Sequence, residues 1–348
     1  LPRGKSRRGV RGRVGPGVTK RNRWTPPEGR QIKTGKLLTA GKKKVEDYLP
    51  MNEIKKTAMI TIAGRPNVGK STLTNALVGE KIAIVSPKPQ TTRNRICGVV
   101  NRGETQFVFL DTPGFHKART RLGDYMVKVV KDSVADVEAV CLMVEPIAKV
   151  GAPEQALIDR IKEEHLPAVL VINKIDTVEK AQLLEVMAAY SAAHEFDAII
   201  PISAQEKDGL DVLMEQLEKY AAPGPQLFPD GMTTDQPEKQ VVAEIVREKL
   251  LRNLDKEVPH GTAIEVTKFS ERDSGVIDLD VTIYCEKGSH KGIIIGKNGA
   301  TLKKIASHAR EDIERFMGTK VYMETWVKVK ENWRDNVNYI RSFGYDEQ

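Results

Sequence analysis

Eight residues, Gly64-Arg65-Pro66-Asn67-Val68-Gly69-Lys70-Ser71, narrow the choice of fold more than any other part of the chain. They match G-x-x-x-x-G-K-[ST]. They lie between an apolar run, 58–63, and a stretch, Lys70–Val78, that reads as a helix. Strand, glycine-bounded turn and helix N-terminus are the setting this motif requires. Gly64 and Gly69 let the main chain approach phosphates with no Cβ in the way. Successive N–H groups form an anion nest at a helix end that carries partial positive charge. Lys70 is placed to reach the β and γ phosphates of a nucleotide, and the Ser71 hydroxyl to ligate Mg²⁺. Asn67, Val68 and Thr72 complete the candidate phosphate cradle.

The rest of this region agrees with the motif. Strands are expected at 58–63, 106–110, Ala139–Val144, Ala168–Ile172 and 198–202. Helices are expected at Lys70–Val78, Arg121–Ser133, 154–164, 179–194 and 210–220. Short apolar runs separated by helices predict a mostly parallel, doubly wound sheet covered on both faces. The chain has 348 residues, enough for two domains with real cores. No apolar run approaches the ~18–20 residues that span a bilayer. Cys97, Cys141 and Cys285 are far apart and odd in number, so no disulfide partner is expected and a reducing cytosol is the default. The net charge of +8 is misleading, because residues 1–50 alone carry 15 Lys/Arg against 3 Asp/Glu. That leaves a net −4 for residues 51–348. Residues 1–50 read as a basic, disordered extension, since they show no period and too little apolar area to offset ordering. Three uses stay open for them: an upstream extension without function, an arm on RNA phosphates, or a targeting peptide. Met51 begins a new texture.

Two further motifs follow the first in order. Asp111-Thr112-Pro113-Gly114 ends an apolar strand, where an Asp holds Mg²⁺ and the Gly114 N–H can sense a γ phosphate. Asn173-Lys174-Ile175-Asp176 ends another strand. The Asp176 carboxylate can accept bonds from guanine N1–H and the 2-amino group, a donor pair that adenine lacks. Asn173 and Lys174 would brace loops and cover the base, and a Ser203-Ala204 amide would meet guanine O6. In Gln90-Thr91-Thr92-Arg93, Thr92 is the candidate to complete the Mg²⁺ shell when the γ phosphate is present, with Thr91 the fallback. The catalytic candidates are Lys70, Thr92 and Gly114; the metal candidates are Ser71, Thr92 and Asp111.

Residues 223–239 hold four prolines and two glycines and read as a linker between domains at 51–222 and 240–348. Beyond it the order becomes α+β: helix 241–254, strands 262–269 and 276–286, helix 300–316, strand 320–328. Gly296-Lys297-Asn298-Gly299 is a G-x-x-G loop between Ile293-Ile294-Ile295 and a helix. In KH domains such a loop clamps about four nucleotides of backbone. Lys297, Asn298, Lys291, Lys303 and Lys304 surround it with polar and positive groups, and Ile295 belongs to the apolar side of the groove. His290 and His308 read as a loop residue and a helix-surface residue, and Trp326 and Trp333 as packing aromatics.

These residues resemble the Era family of small GTPases: the G-R-P-N-V-G-K-S-T opening, P-K-P-Q-T-T-R, D-T-P-G, N-K-I-D and the KH-like string G-S-H-K-G-I-I-I-G-K-N-G-A-T-L-K-K-I. The resemblance runs from Met51 to the end. It implies a P-loop GTPase domain followed by a type II KH domain, using GTP/GDP and Mg²⁺. It also implies binding to the 3′ end of 16S rRNA and a role in small ribosomal subunit assembly. A cytoplasmic monomer is expected, with peripheral contact at the inner membrane face as an addition. Phe115 follows Gly114 where a glutamine could orient the attacking water, so hydrolysis should be slow. The rival reading is a membrane-associated signalling GTPase whose C-terminal domain binds protein. A third is an RNA-binding module that uses GTP only for stability.

Overall fold

The computed structural model describes residues 53–115, 118, 120–134 and 136–345; the readings of residues 1–50 lie outside them. The first sheet is built from β1 (Lys56–Ala63), β2 (Ile96–Arg102), β3 (Thr105–Asp111), β4 (Ala139–Val144), β5 (Ala168–Ile172) and β6 (Ala198–Pro201). Their spatial order is β2-β3-β1-β4-β5-β6. All neighbours are parallel except β2, which runs antiparallel to β3. The helices between them are α1 (Lys70–Val78), α2 (Arg121–Ser133), α3 (Ala152–Glu163), α4 (Lys180–Ala193) and α5 (Leu210–Leu217). Every residue of β4 and β5 is buried, which is why these strands read as unbroken apolar runs rather than alternating ones.

The expected linker is well packed. Ala222–Pro223 forms a short β7 on the start of β1, at Lys56 and Thr57, where β4 does not pair. Phe228 is buried, and the Gln106 carboxamide holds the Leu227 and Phe228 amides at 2.8 Å each. Thr233 then accepts from the Val99 amide at 2.9 Å. So this proline-rich stretch covers the edge strand β2, which would otherwise present unpaired backbone groups.

The second sheet contains β8 (Thr262–Glu271), β9 (Ile277–Cys285) and β10 (Val321–Val329), in the order β10-β9-β8. Strand β9 is antiparallel to β8 and parallel to β10. Helices α6 (Glu238–Asn253) and α8 (Ala300–Met317) bury Val246, Leu250, Ile305 and Ile313 against Leu279, Val281 and Ile283.

Three elements depart from the sequence reading. β2 is absent from the sequence expectations, because it contains Gly98, ends in polar residues and follows a polar segment. α7 (Gly288–Ile295) was read as loop, since two glycines and three β-branched isoleucines give it poor helix propensity. Tertiary packing of the fully buried Ile294 outweighs that deficit. α9 (Val337–Ser342) was also missed; the Asn336 side chain caps it by accepting from the Asn338 and Tyr339 amides at 3.0 and 3.3 Å. The two tryptophans also differ. Trp333 is wholly buried and donates to the Gly261 carbonyl at 2.9 Å. Trp326 is 56% exposed, so it is not a packing residue; its place in β10 turns it to the sheet face away from α6 and α8.

Candidate functional site

The loop 64–69 joins β1 to α1 and opens onto a cavity of about 520 Å³. Gly69 has φ 105°, a left-handed value, and a Cβ there would strike the Asn173 carboxamide. The glycine therefore serves two motifs at once. Asn173 is buried, donates to the Val68 carbonyl at 2.8 Å and accepts from the Ala204 amide at 2.9 Å. A single side chain thus ties the phosphate loop to the two loops expected to face the base. Gly114 is equally constrained: a Cβ on it would lie 2.6 Å from the Pro66 backbone, and the next amide, Phe115, donates to the Gly64 carbonyl at 3.1 Å.

Lys70 is almost fully buried, and its Nζ donates to the Gly64 and Arg65 carbonyls at 3.1 and 2.9 Å. Ser71 Oγ lies 2.6 Å from Asp111 Oδ2 and 2.8 Å from Thr92 Oγ1. Thr91 also lines the cavity, but its hydroxyl is committed to the Lys88 carbonyl at 2.6 Å. The other Asp111 oxygen, Oδ1, is buried with no partner among the described residues. An unpaired buried carboxylate oxygen costs free energy, and here it stands with two hydroxyls at the end of a phosphate-type loop. Such a set of hard oxygen donors suits Mg²⁺. Burial pushes the Lys70 ammonium down to about 8, against the pull of Asp111. Burial pushes the Asp111 carboxyl up to about 6, against the Ser71 hydrogen bond and the Lys70 charge.

The cavity wall includes Asn67, Gly69, Lys70, Ser71, Thr72 and Thr92. Gly114 lines it beside Pro66, and Asn173, Lys174, Asp176 and Ser203 line it on the side expected to face the base. The remaining sequence candidates stand behind it. The Val68 side chain is in the core, Asp111 reaches the wall through Ser71, and Gly64, Pro113 and Ala204 do not line it. Thr112 is corrected from a ligand contact to a brace: it is fully buried and its hydroxyl donates to the Ile62 carbonyl at 2.9 Å. The Ser203 amide donates to Asp208 and the Ala204 amide to Asn173. A bond from this corner to guanine O6 therefore needs one of these to be shared, or the next amide, that of Gln205, which lines the cavity. Ile84 to Pro87 and Gln90 also line it; the sequence singled out only Thr92 and Thr91 from this irregular segment, because a hydroxyl is the side chain that can ligate Mg²⁺. Glu145 was missed as well; it pairs with both Lys174 and Arg65 and so links the base end to the phosphate loop.

The G-x-x-G loop has a different character. Gly296 ends α7 and Gly299, at φ 77°, opens α8. Lys291, Lys297, Asn298 and Lys303 are exposed, and Ile295 packs in part against the core. His308 is exposed on α8. Among the described residues no cluster of three or more His, Cys, Asp or Glu side chains could hold a metal, and no helix is long and apolar enough to cross a membrane.

A family model described as "50S ribosome-binding GTPase" matches residues 59–174, and a KH domain model matches residues 257–334. GTPase Era of Ruminiclostridium cellulolyticum is 50% identical over 290 residues, covering 83% of this chain and 97% of its own. The chain belongs to the Era family of GTPases. GTPase Era of Clostridium kluyveri is 49% identical, covering 83% of this chain and 99% of its own. A solved Era in complex with MgGDPNP and nucleotides 1506–1542 of 16S ribosomal RNA matches with a TM-score of 0.81 and 37% identity. It covers 84% of this chain and 100% of that one. Aquifex aeolicus Era Y63A bound to GDP·AlF₄⁻ matches with the same TM-score, identity and coverage. As an Era-family GTPase with a KH domain, the chain combines nucleotide hydrolysis with an RNA-binding fold.

Proposed function

We propose that this chain is a Mg²⁺-dependent GTP switch. Residues 51–222 hold the nucleotide, and residues 240–348 bind the 3′ end of 16S rRNA during small-subunit assembly. The observation that carries this reading is the solved Era, which holds MgGDPNP and 16S nucleotides together and matches this chain across 84% of its length. The family model named for the 50S particle covers only residues 59–174, outside the KH region. In this reading Lys70 and the amides of the loop hold the β and γ phosphates. Ser71, Thr92 and Asp111 hold the cation, and Asp176 selects guanine. Exposed Lys297 and Asn298, with Lys291 and Lys303 nearby, meet the RNA backbone. Hydrolysis is slow because Phe115 has no group to orient water. The protein acts as a monomer in the cytoplasm. A membrane contact would fall to residues 1–50, outside the described residues, and is no part of this reading.

The test is competition binding on the purified protein. GTP should be retained over ATP by at least ~100-fold, since unpaired polar groups reject the wrong base strongly. A 3′-terminal 16S fragment should be bound over an unrelated RNA of equal length. Equal retention of ATP would overturn the nucleotide half, and indifference to RNA sequence the ribosomal half.

A further inference from the structure

The segment between α1 and β2, residues 79–95, has neither helix nor strand, yet its polar groups are well satisfied. Asn75 of α1 holds the Ile82 and Ala83 amides and Asn67 the Pro87 carbonyl; other partners lie in the C-terminal half. Glu248 of α6, fully buried, accepts from the Val85 amide at 3.1 Å and from Lys81 Nζ at 2.6 Å. Arg252 donates to the Val85 carbonyl at 2.9 Å, and Lys88 donates to the Leu254 carbonyl at the end of α6. Buried main-chain groups must find partners, and at Val85 this irregular segment finds them on α6.

The same holds on both sides of Thr92. The Thr91 carbonyl accepts from Arg247 Nη2, and Arg247 is itself fully buried and held by Glu244. On the other side, the Arg93 side chain is inserted into the C-terminal half. Its Nη1 donates to the Thr262 carbonyl at 2.8 Å and to Tyr345 Oη at 3.2 Å, and its Nη2 to the His260 carbonyl at 2.9 Å. The guanidinium carbon stands 5.6 Å from the ring centres of both Trp333 and Tyr345. One arginine thus reaches from α6 into the segment and the other from the segment into the C-terminal half. Between them Thr92 faces the phosphate loop, with its hydroxyl 2.8 Å from Ser71.

We propose that Arg247 and Arg93 are positioning residues for the nucleotide site: through them the C-terminal half sets where the Thr92 hydroxyl stands, and so how strongly a magnesium nucleoside triphosphate is preferred over the diphosphate. The proposal rests on Thr92 being a cation ligand when a γ phosphate is present. A ligand hydroxyl already held in place binds without a fresh cost of ordering its loop. When the clamp is loosened, the triphosphate complex bears that cost and the diphosphate complex does not.

The test measures affinities of fluorescent GTP and GDP analogues in Mg²⁺ for the full chain and for Thr92→Ala, Arg247→Ala, Arg247→Lys, Tyr345→Phe and the Thr92→Ala/Arg247→Ala double variant. Arg247→Ala should lower the GTP/GDP preference by about tenfold, in the range of an inter-site coupling, with GDP affinity unchanged. Arg247→Lys should recover part of the loss. In the Thr92→Ala background the Arg247 effect should vanish, because a residue acting through another shows non-additivity. Tyr345→Phe, which deletes one hydroxyl beside Arg93, should give a smaller shift in the same direction; with Arg247→Lys it carries the test if Arg247→Ala does not fold. Equal losses for GTP and GDP, an unchanged preference, or effects that add with Thr92→Ala would overturn the proposal. An unchanged preference in Thr92→Ala alone would remove the cation assignment itself, a separate result read from a separate variant.

Discussion

Helices α1 and α8 begin alike and work differently. Each opens from a glycine in the left-handed region, Gly69 at φ 105° and Gly299 at φ 77°, with a lysine close by. At α1 the lysine is buried, the glycine abuts the Asn173 carboxamide, and three neighbouring loops close over the helix start. At α8 the lysine is exposed, and a Cβ on Gly299 would meet nothing within 4 Å. The first arrangement encloses one compact ligand; the second is an open lip past which a long chain can run. A helix N-terminus attracts phosphate in both cases, but only the closed one works at low dielectric, where each bond is stronger.

That contrast can be broken by the same substitution at the two lysines and by pH. Alanine at Lys70 removes a buried ammonium from the phosphate end of the cavity. Nucleotide affinity, measured by calorimetry, should fall by roughly 100-fold or more, as expected for a desolvated charge-assisted bond. A smaller effect of pH comes next. A phosphate beside Lys70 favours its charged form, so binding takes up a proton above about 8 and affinity falls as pH rises through that value. A cation beside Asp111 requires the carboxylate, so Mg²⁺-dependent affinity falls as pH drops below about 6. Between the two the affinity should be level, with at most about a tenfold change per pH unit outside. A titration flat from pH 5 to 9 would show that neither group is coupled to the ligand. The smallest effect is expected at Lys297. Alanine there should weaken RNA about threefold at moderate salt and reduce the salt slope by about one; filter binding across a salt series measures both. A 100-fold loss at Lys297 would mean that the lip is as closed as the cradle.

The elements that fix the nucleotide cavity were legible because their residues obey local rules. α1, α2, β4 and β5 fall at their expected bounds, and the glycine positions of the loop follow from close approach. The hidden parts depend on distant residues. Nothing near Ile96–Arg102 in sequence indicates that Thr233 will cover that edge. The glycines of α7 argue against a helix that the buried Ile294 nevertheless enforces. Thr112 sits inside a motif but faces Ile62, since position in a motif does not fix the direction of a side chain. Arg93 ends the string that nominated Thr92, yet its role is visible only once His260, Thr262 and Tyr345, about 170 to 250 residues later, are seen around it.

The enclosed site and the open one belong to one switch only if each responds to the other's ligand, and linkage makes that response reciprocal. The direct measurement is the affinity of the purified protein for a non-hydrolysable GTP analogue, with and without a saturating 3′-terminal 16S rRNA fragment, alongside the same pair for GDP. The account predicts that RNA shifts the analogue's affinity at least about fivefold more than that of GDP. Identical affinities in all four conditions, with RNA demonstrably bound, would contradict it.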